Sequence, residues 1–89
     1  MPEQDHIFSQ DELSKYSYKE EEIDSIYNIR YVGKSPNQAK SKKPYQQWIK
    51  SQTIKDREMH LIPNGNWDTK SFRDFLSERK ELFVENIKY

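Results

Sequence analysis

Phe72, Phe75, Leu76, Leu82, Phe83 and Ile87 recur at three- and four-residue steps. That is one stripe of a helix, and it predicts an amphipathic helix over residues 70–87. Asp68 or Thr69 stands where a helix start needs a side-chain acceptor. A shorter stripe, Tyr45, Trp48 and Ile49, predicts a helix over 44–53, with Pro44 in the first turn where its missing N–H is not needed. Residues 26–32 are β-branched and aromatic and predict a strand, ended by Gly33. Its alternation puts Tyr27, Ile29 and Tyr31 on one face and Ile26, Asn28, Arg30 and Val32 on the other. Residues 58–62 read as a further strand, followed by the turn Pro63-Asn64-Gly65-Asn66.

The first part of the chain is less patterned. Ser9-Gln10-Asp11-Glu12 has capping-box spacing and predicts a helix over 10–15, with Phe8 and Leu13 at the two staple positions. Alternation over 15–19 suggests a short strand. Residues 1–7 read as a flexible tail. Residues 34–43, with Pro36, Asn37 and four lysines, read as a basic surface loop.

These elements predict an α+β domain over residues 1–89. Its small sheet of two to three strands packs against two main helices, in the order (α)(β)-β-α-β-α. The expected core is Ile26, Ile29, Tyr31, Val32, Trp48, Ile49, Leu61, Phe72, Phe75, Leu76, Phe83 and Ile87. Only 33% of the 89 residues are hydrophobic and 34% are charged, so the core leans on six Tyr, four Phe and two Trp. No apolar run is long enough to span a bilayer, and the first residues lack a signal-peptide pattern; the expected location is intracellular.

Charge is balanced overall but not along the chain. Residues 1–25 hold eight acids against two bases; residues 26–57 hold eight bases against one acid. The basic stretch offers Arg30, Lys34, Lys40, Lys42, Lys43 and Lys50 as phosphate contacts, with Tyr45 and Trp48 near enough in sequence to stack on bases. The acidic stretch offers Glu20, Glu21, Glu22 and Asp24 as a docking surface for a basic partner.

Other chemistry is sparse. The absence of cysteine removes disulfides, thiolate catalysis and Cys-type zinc sites. His6 and His60 stand alone, without zinc-ligand spacing, and the acidic run lacks the spacing of a calcium loop. Gly33 and Gly65 are the only glycines, too few for a phosphate-cradling loop. No serine sits in a nucleophile elbow. Neither a metal nor a small-molecule cofactor is expected.

Arg30-Tyr31-Val32-Gly33-Lys34-Ser35 resembles the second signature strand of the GIY-YIG nuclease domain. Residues 40–51, which contain Trp48-Ile49-Lys50-Ser51, resemble a helix that many of these domains carry. The likeness extends over residues 15–87, but its specific part is some twenty residues. It implies metal-dependent phosphodiester cleavage, with Tyr31 and Glu78 as the candidate catalytic pair. The chain departs from the pattern at two points. Ile26-Tyr27 follows Ser25 rather than glycine and lies on the same predicted strand as Tyr31, and no arginine stands between Arg30 and Arg57, where the family has a catalytic one. The sequence therefore favours a small non-catalytic module acting on or near nucleic acid or a nucleic-acid-associated protein. One alternative is an adaptor or inhibitor, of the kind phages and mobile elements encode, that uses its acidic segment; the other is a minimal GIY-YIG-like nuclease.

Overall fold

The computed structural model describes residues 2–40 and 43–86. Among them the protein is α+β: one two-stranded antiparallel sheet and six α-helices. The first difference from expectation is at the start. The expected tail contains strand β1 (Glu3–His6), which pairs with β2 (Ile29–Val32) from Glu3 opposite Val32 to His6 opposite Ile29. The string Glu-Gln-Asp-His carries no strand propensity. What holds it is tertiary: Asp5 is buried against Arg30, and Ile7 and Phe8 continue directly into the core with no exposure.

Helix α1 (Gln10–Leu13) has the expected capping box. Glu12 N–H donates to Ser9 Oγ at 3.1 Å, and Ser9 N–H donates to Glu12 Oε2 at 3.2 Å. The same carboxylate accepts from Tyr45 N–H at 2.9 Å, so Glu12 serves the starts of two helices. Burial raises its pKa against the lowering effect of these bonds. Residues 15–19 form no strand; the chain turns and enters α2 (Glu20–Ile23).

The strand expected over 26–32 is shortened. Ile26–Asn28 is a 3₁₀ turn started by Ser25, and only then does the chain extend. Residues 34–40 are not loop but helix α3 (Lys34–Lys40), and α4 is limited to Tyr45–Ile49. The strand expected over 58–62 is absent, because Thr53 and Asp56 form a capping box that starts α5 (Ile54–Met59). That helix ends in a Schellman motif. Leu61 N–H donates to Glu58 O and Ile62 N–H to Arg57 O, with Leu61 at φ +54° in the left-handed region. The turn at 63–66 is present. Gly65, at φ +137°, is needed there both for its conformation and because a Cβ would stand 3.3 Å from the Trp67 ring. Asp68 accepts from Ser71 N–H and starts a 3₁₀ turn that leads into the long helix α6 (Phe72–Glu85).

Phe8 is at the centre of the core. Its ring stacks on Tyr45 at 4.3 Å and meets Phe72 and Phe75 edge-on at 5.3 and 4.9 Å. Ile7, Leu13, Trp48 and Ile62 complete the buried cluster. Ile29, Val32, Trp48, Phe72 and Phe75 are buried as expected. Ile49, Leu61, Leu76 and Phe83 are half-buried. Ile26 and Tyr31 are not core: they are 65% and 62% exposed, because the face of β2 that carries Tyr31 is left open. Ile87 lies outside the described residues.

Candidate binding groove

Directly opposed residues of an antiparallel pair point to the same side, and successive residues alternate. The register therefore puts Glu3, Asp5, Arg30 and Val32 on one face of the ribbon, and Gln4, His6, Ile29 and Tyr31 on the other.

The first face turns inward. Asp5, Arg30 and Lys40 are all buried there. Arg30 Nε donates to Asp5 Oδ2 at 2.6 Å, and Lys40 Nζ lies 3.7 Å from Asp5 Oδ1 and donates to His6 O at 2.7 Å. Both cations stand over the Trp48 ring, at 4.6 Å for Arg30 and 5.1 Å for Lys40. Burial depresses the Lys40 pKa, and Asp5 opposes that shift. This is a fold-holding cluster, since every charged group in it has a partner inside.

The second face is the floor of an open groove of about 700 Å³. Its margins are Gln10, Asp24 and Ile26 from the first part of the chain, Met59, His60 and Leu61 at the end of α5, and Arg79 and Phe83 on α6. Asp24 Oδ1 is 2.9 Å from His6 Nε2 and accepts from Gln10 Nε2 at 3.3 Å, so the imidazole has a fixed orientation. Gln4 donates to the Tyr31 hydroxyl at 3.3 Å. Burial, then the charges of Arg30 and Arg79, lower the pKa of His60. Leu61, the left-handed residue that closes α5, is at this margin. Ile26, Tyr31 and Met59, all more than 60% exposed, supply apolar surface to the groove.

The expected nucleic-acid set is not one surface. Arg30, which also lines the groove, and Lys40 already have Asp5 as their anion, so their charge is balanced inside the fold. Lys34, Lys43 and Lys50 are exposed, and Lys42 lies outside the described residues. Tyr45 and Trp48 are 2% and 4% exposed and belong to the core, as the spacing of Trp48 predicts, so neither is free to stack on bases. The acidic set is also divided. Glu22 is tied to Arg73 through two bonds of 2.5 and 3.1 Å, Asp24 holds His6, and Glu20 and Glu21 face solvent. Tyr31 lines the groove, whereas Glu78 is exposed on α6 and is no part of its lining. Helix α3, which follows Gly33, carries no arginine. Among the described residues no cluster of His, Asp and Glu could hold a metal ion, and no helix is long and apolar enough to cross a membrane.

The groove was not legible beforehand. It needs β1, whose four residues show no hydrophobic pattern, to bring His6 beside Asp24 and Gln4 beside Tyr31. One signal was available: two aromatic or β-branched residues, Ile26 and Tyr31, in a strand beside an acidic segment.

No family model matches the chain, and neither the curated proteins nor the solved structures contain a significant match. The likeness to GIY-YIG domains accordingly rests on the short strings around Tyr31 and Trp48 alone.

Proposed function

We propose that this protein is a binding module of the adaptor type, and that its working surface is the groove over the outer face of the β-ribbon, which receives a segment of a partner polypeptide. The observation that carries this reading is the coincidence of exposed Ile26, Tyr31 and Met59 with fixed polar groups at His6, Asp24 and Gln4 around one concavity. Ligand sites combine apolar walls with a few oriented polar groups in this way. The reading shifts the adaptor surface from the acidic run as a whole to its last member, Asp24. It is preferred to the nucleic-acid reading because Arg30 and Lys40 are spent inside the fold. The exposed Lys34, Lys43 and Lys50 keep duplex DNA as the control ligand.

The test is selection of random displayed peptides on the folded chain, followed by binding to the double variant Tyr31→Ser, Met59→Ser. Both side chains are exposed, so the variant should melt close to the parent, since surface changes shift stability by only about ±0.5 kcal/mol each. Enriched peptides should lose the variant and keep the parent. Failure to enrich any peptide, or equal binding to both proteins, contradicts the reading.

A further inference from the structure

We infer that the groove takes a carboxylate on its Arg79 side, so that the segment it captures is acidic as well as apolar; this rests on the groove being the binding surface. Arg79 borders the groove and is 3% exposed. Its guanidinium donates to four neutral acceptors, Ile26 O at 3.5 Å, Tyr27 O at 2.9 Å, Ile29 O at 2.8 Å and His60 O at 3.0 Å, and lies over the Phe83 ring at 4.9 Å. Among the described residues no carboxylate forms an ion pair with it. Arg30, buried to a similar degree, has Asp5 at 2.6 Å.

The Nε of Arg79 is also the one buried side-chain nitrogen or oxygen, among the described residues, with no hydrogen-bond partner. A buried cation is ordinarily matched by an anion, and an unmade bond to a charged donor is costly. Here both deficits fall on the same residue, and that residue lines an open concavity. The groove's own carboxylate, Asp24, is already engaged by His6 and Gln10. The local field points the same way: burial and the positive charges of Arg30 and Arg79 hold His60 towards its neutral form. Beside this unmatched cation stand Phe83 and the exposed Tyr31 and Met59. A carboxylate flanked by an apolar side chain satisfies both, and it can come from an acidic side chain or from a chain terminus. A nucleic-acid strand fits less well, because it brings a row of phosphates to a margin that is largely apolar.

The probes are 3-phenylpropionate, 3-phenylpropanamide and inorganic phosphate, titrated into the folded protein while the Arg79 Nε–H and the backbone amides of Tyr31 and His60 are followed by NMR. The acid should bind about tenfold or more tightly than the amide, the size of one charge-assisted hydrogen bond, and it should move the Arg79 Nε–H. N-acetylphenylalanine and the amide of N-acetylphenylalanylglutamate then separate a chain-end carboxylate from a side-chain one. Equal binding of acid and amide overturns the inference, as does a response to phosphate alone. Arg79→Met should abolish the acid–amide difference; if that variant does not fold, the ratio in the parent protein decides. Displayed peptides that occupy the groove without any acidic preference would leave the proposed function standing and remove this inference only.

Discussion

The side chain of Asn28 pairs with both backbone polar groups of Phe8: Oδ1 accepts from Phe8 N–H at 2.8 Å, and Nδ2 donates to Phe8 O at 3.1 Å. Nδ2 also donates to Ile23 O at 2.8 Å. The amide thus extends the β1–β2 ladder by one rung where β2 has already become a 3₁₀ turn, and it ties the end of α2 to the same point. Asn28 and Phe8 are both fully buried, so neither polar group of Phe8 has water as an alternative; Ile23 is half-buried.

Removing that amide should therefore be expensive. Asn28→Ala leaves the buried Phe8 N–H and Phe8 O without their partner, at about 1–3 kcal/mol each, and removes the donor to the half-buried Ile23 O. Against a total of about 5–15 kcal/mol, the variant should be marginal or unfolded at room temperature. Asn28→Asp keeps the acceptor but sets a buried carboxylate oxygen against Phe8 O and Ile23 O, so at neutral pH it should be at least as damaging. Urea unfolding followed by tryptophan fluorescence measures the order; an Asn28→Ala midpoint equal to the parent's would show that the rung is dispensable.

The ionic cluster predicts an asymmetry between its members. Asp5 is the anion for two buried cations, so Asp5→Ala strands both Arg30 and Lys40 above Trp48. Breaking a buried pair from one side costs about 3–5 kcal/mol. Lys40→Met keeps the stem, removes one desolvated charge and leaves the 2.6 Å Arg30–Asp5 bond in place. It should be the milder change by a clear margin in the same unfolding assay, although His6 O loses its donor. The reverse order would mean that Lys40, and not Asp5, organises the cluster.

The pH dependence has a defined direction. The Arg73 guanidinium, and then Lys19 N–H, hold the Glu22 carboxyl down at about 2, from 4.5 when unpaired. A group whose pKa is lowered by folding binds fewer protons in the native state, so its stabilisation is full above pH 4.5 and is lost as the pH falls towards 2. Burial and the two arginines lower His60 from 6.5, so its contribution is full above that value and declines below it. Glu12 runs the other way: burial raises its pKa, and it favours the folded state more as acid is added. Melting temperature should thus fall on acidification, and Glu22→Gln should flatten the curve below pH 4.5. Arg73 is largely exposed, so added salt should flatten it as well. An unchanged acid limb in Glu22→Gln would show that the bridge between α2 and α6 does no work in solution.

What could be read from the sequence was what local chemistry determines. The Ser9–Glu12 box, the Asp68 cap, the Gly65 turn and the stripe of α6 all follow from side chains acting on their own neighbourhood. The Thr53–Asp56 box is equally local, and the strand expected at 58–62 concealed it. What escaped was set at long range. β1 is polar and becomes a strand only because Arg30 and Lys40, some 25 and 35 residues away, take up Asp5. The same distance effect hid the site: lysines and arginines that look like one basic surface in sequence divide into a buried pair and scattered exposed ones. Tyr31, which looks like a core residue of a β-branched strand, is on the open face because nothing covers that side of the ribbon.

The most direct measurement is an amide chemical-shift map of the folded protein with a peptide selected by display. If the outer face of the ribbon is the binding surface, the shifts should concentrate at Gln4, His6, Ile26, Tyr31, Met59 and His60, and should vanish in Tyr31→Ser, Met59→Ser. Shifts centred on Lys34, Lys43 and Lys50, appearing with duplex DNA and not with peptide, would contradict the groove and return the function to nucleic acid.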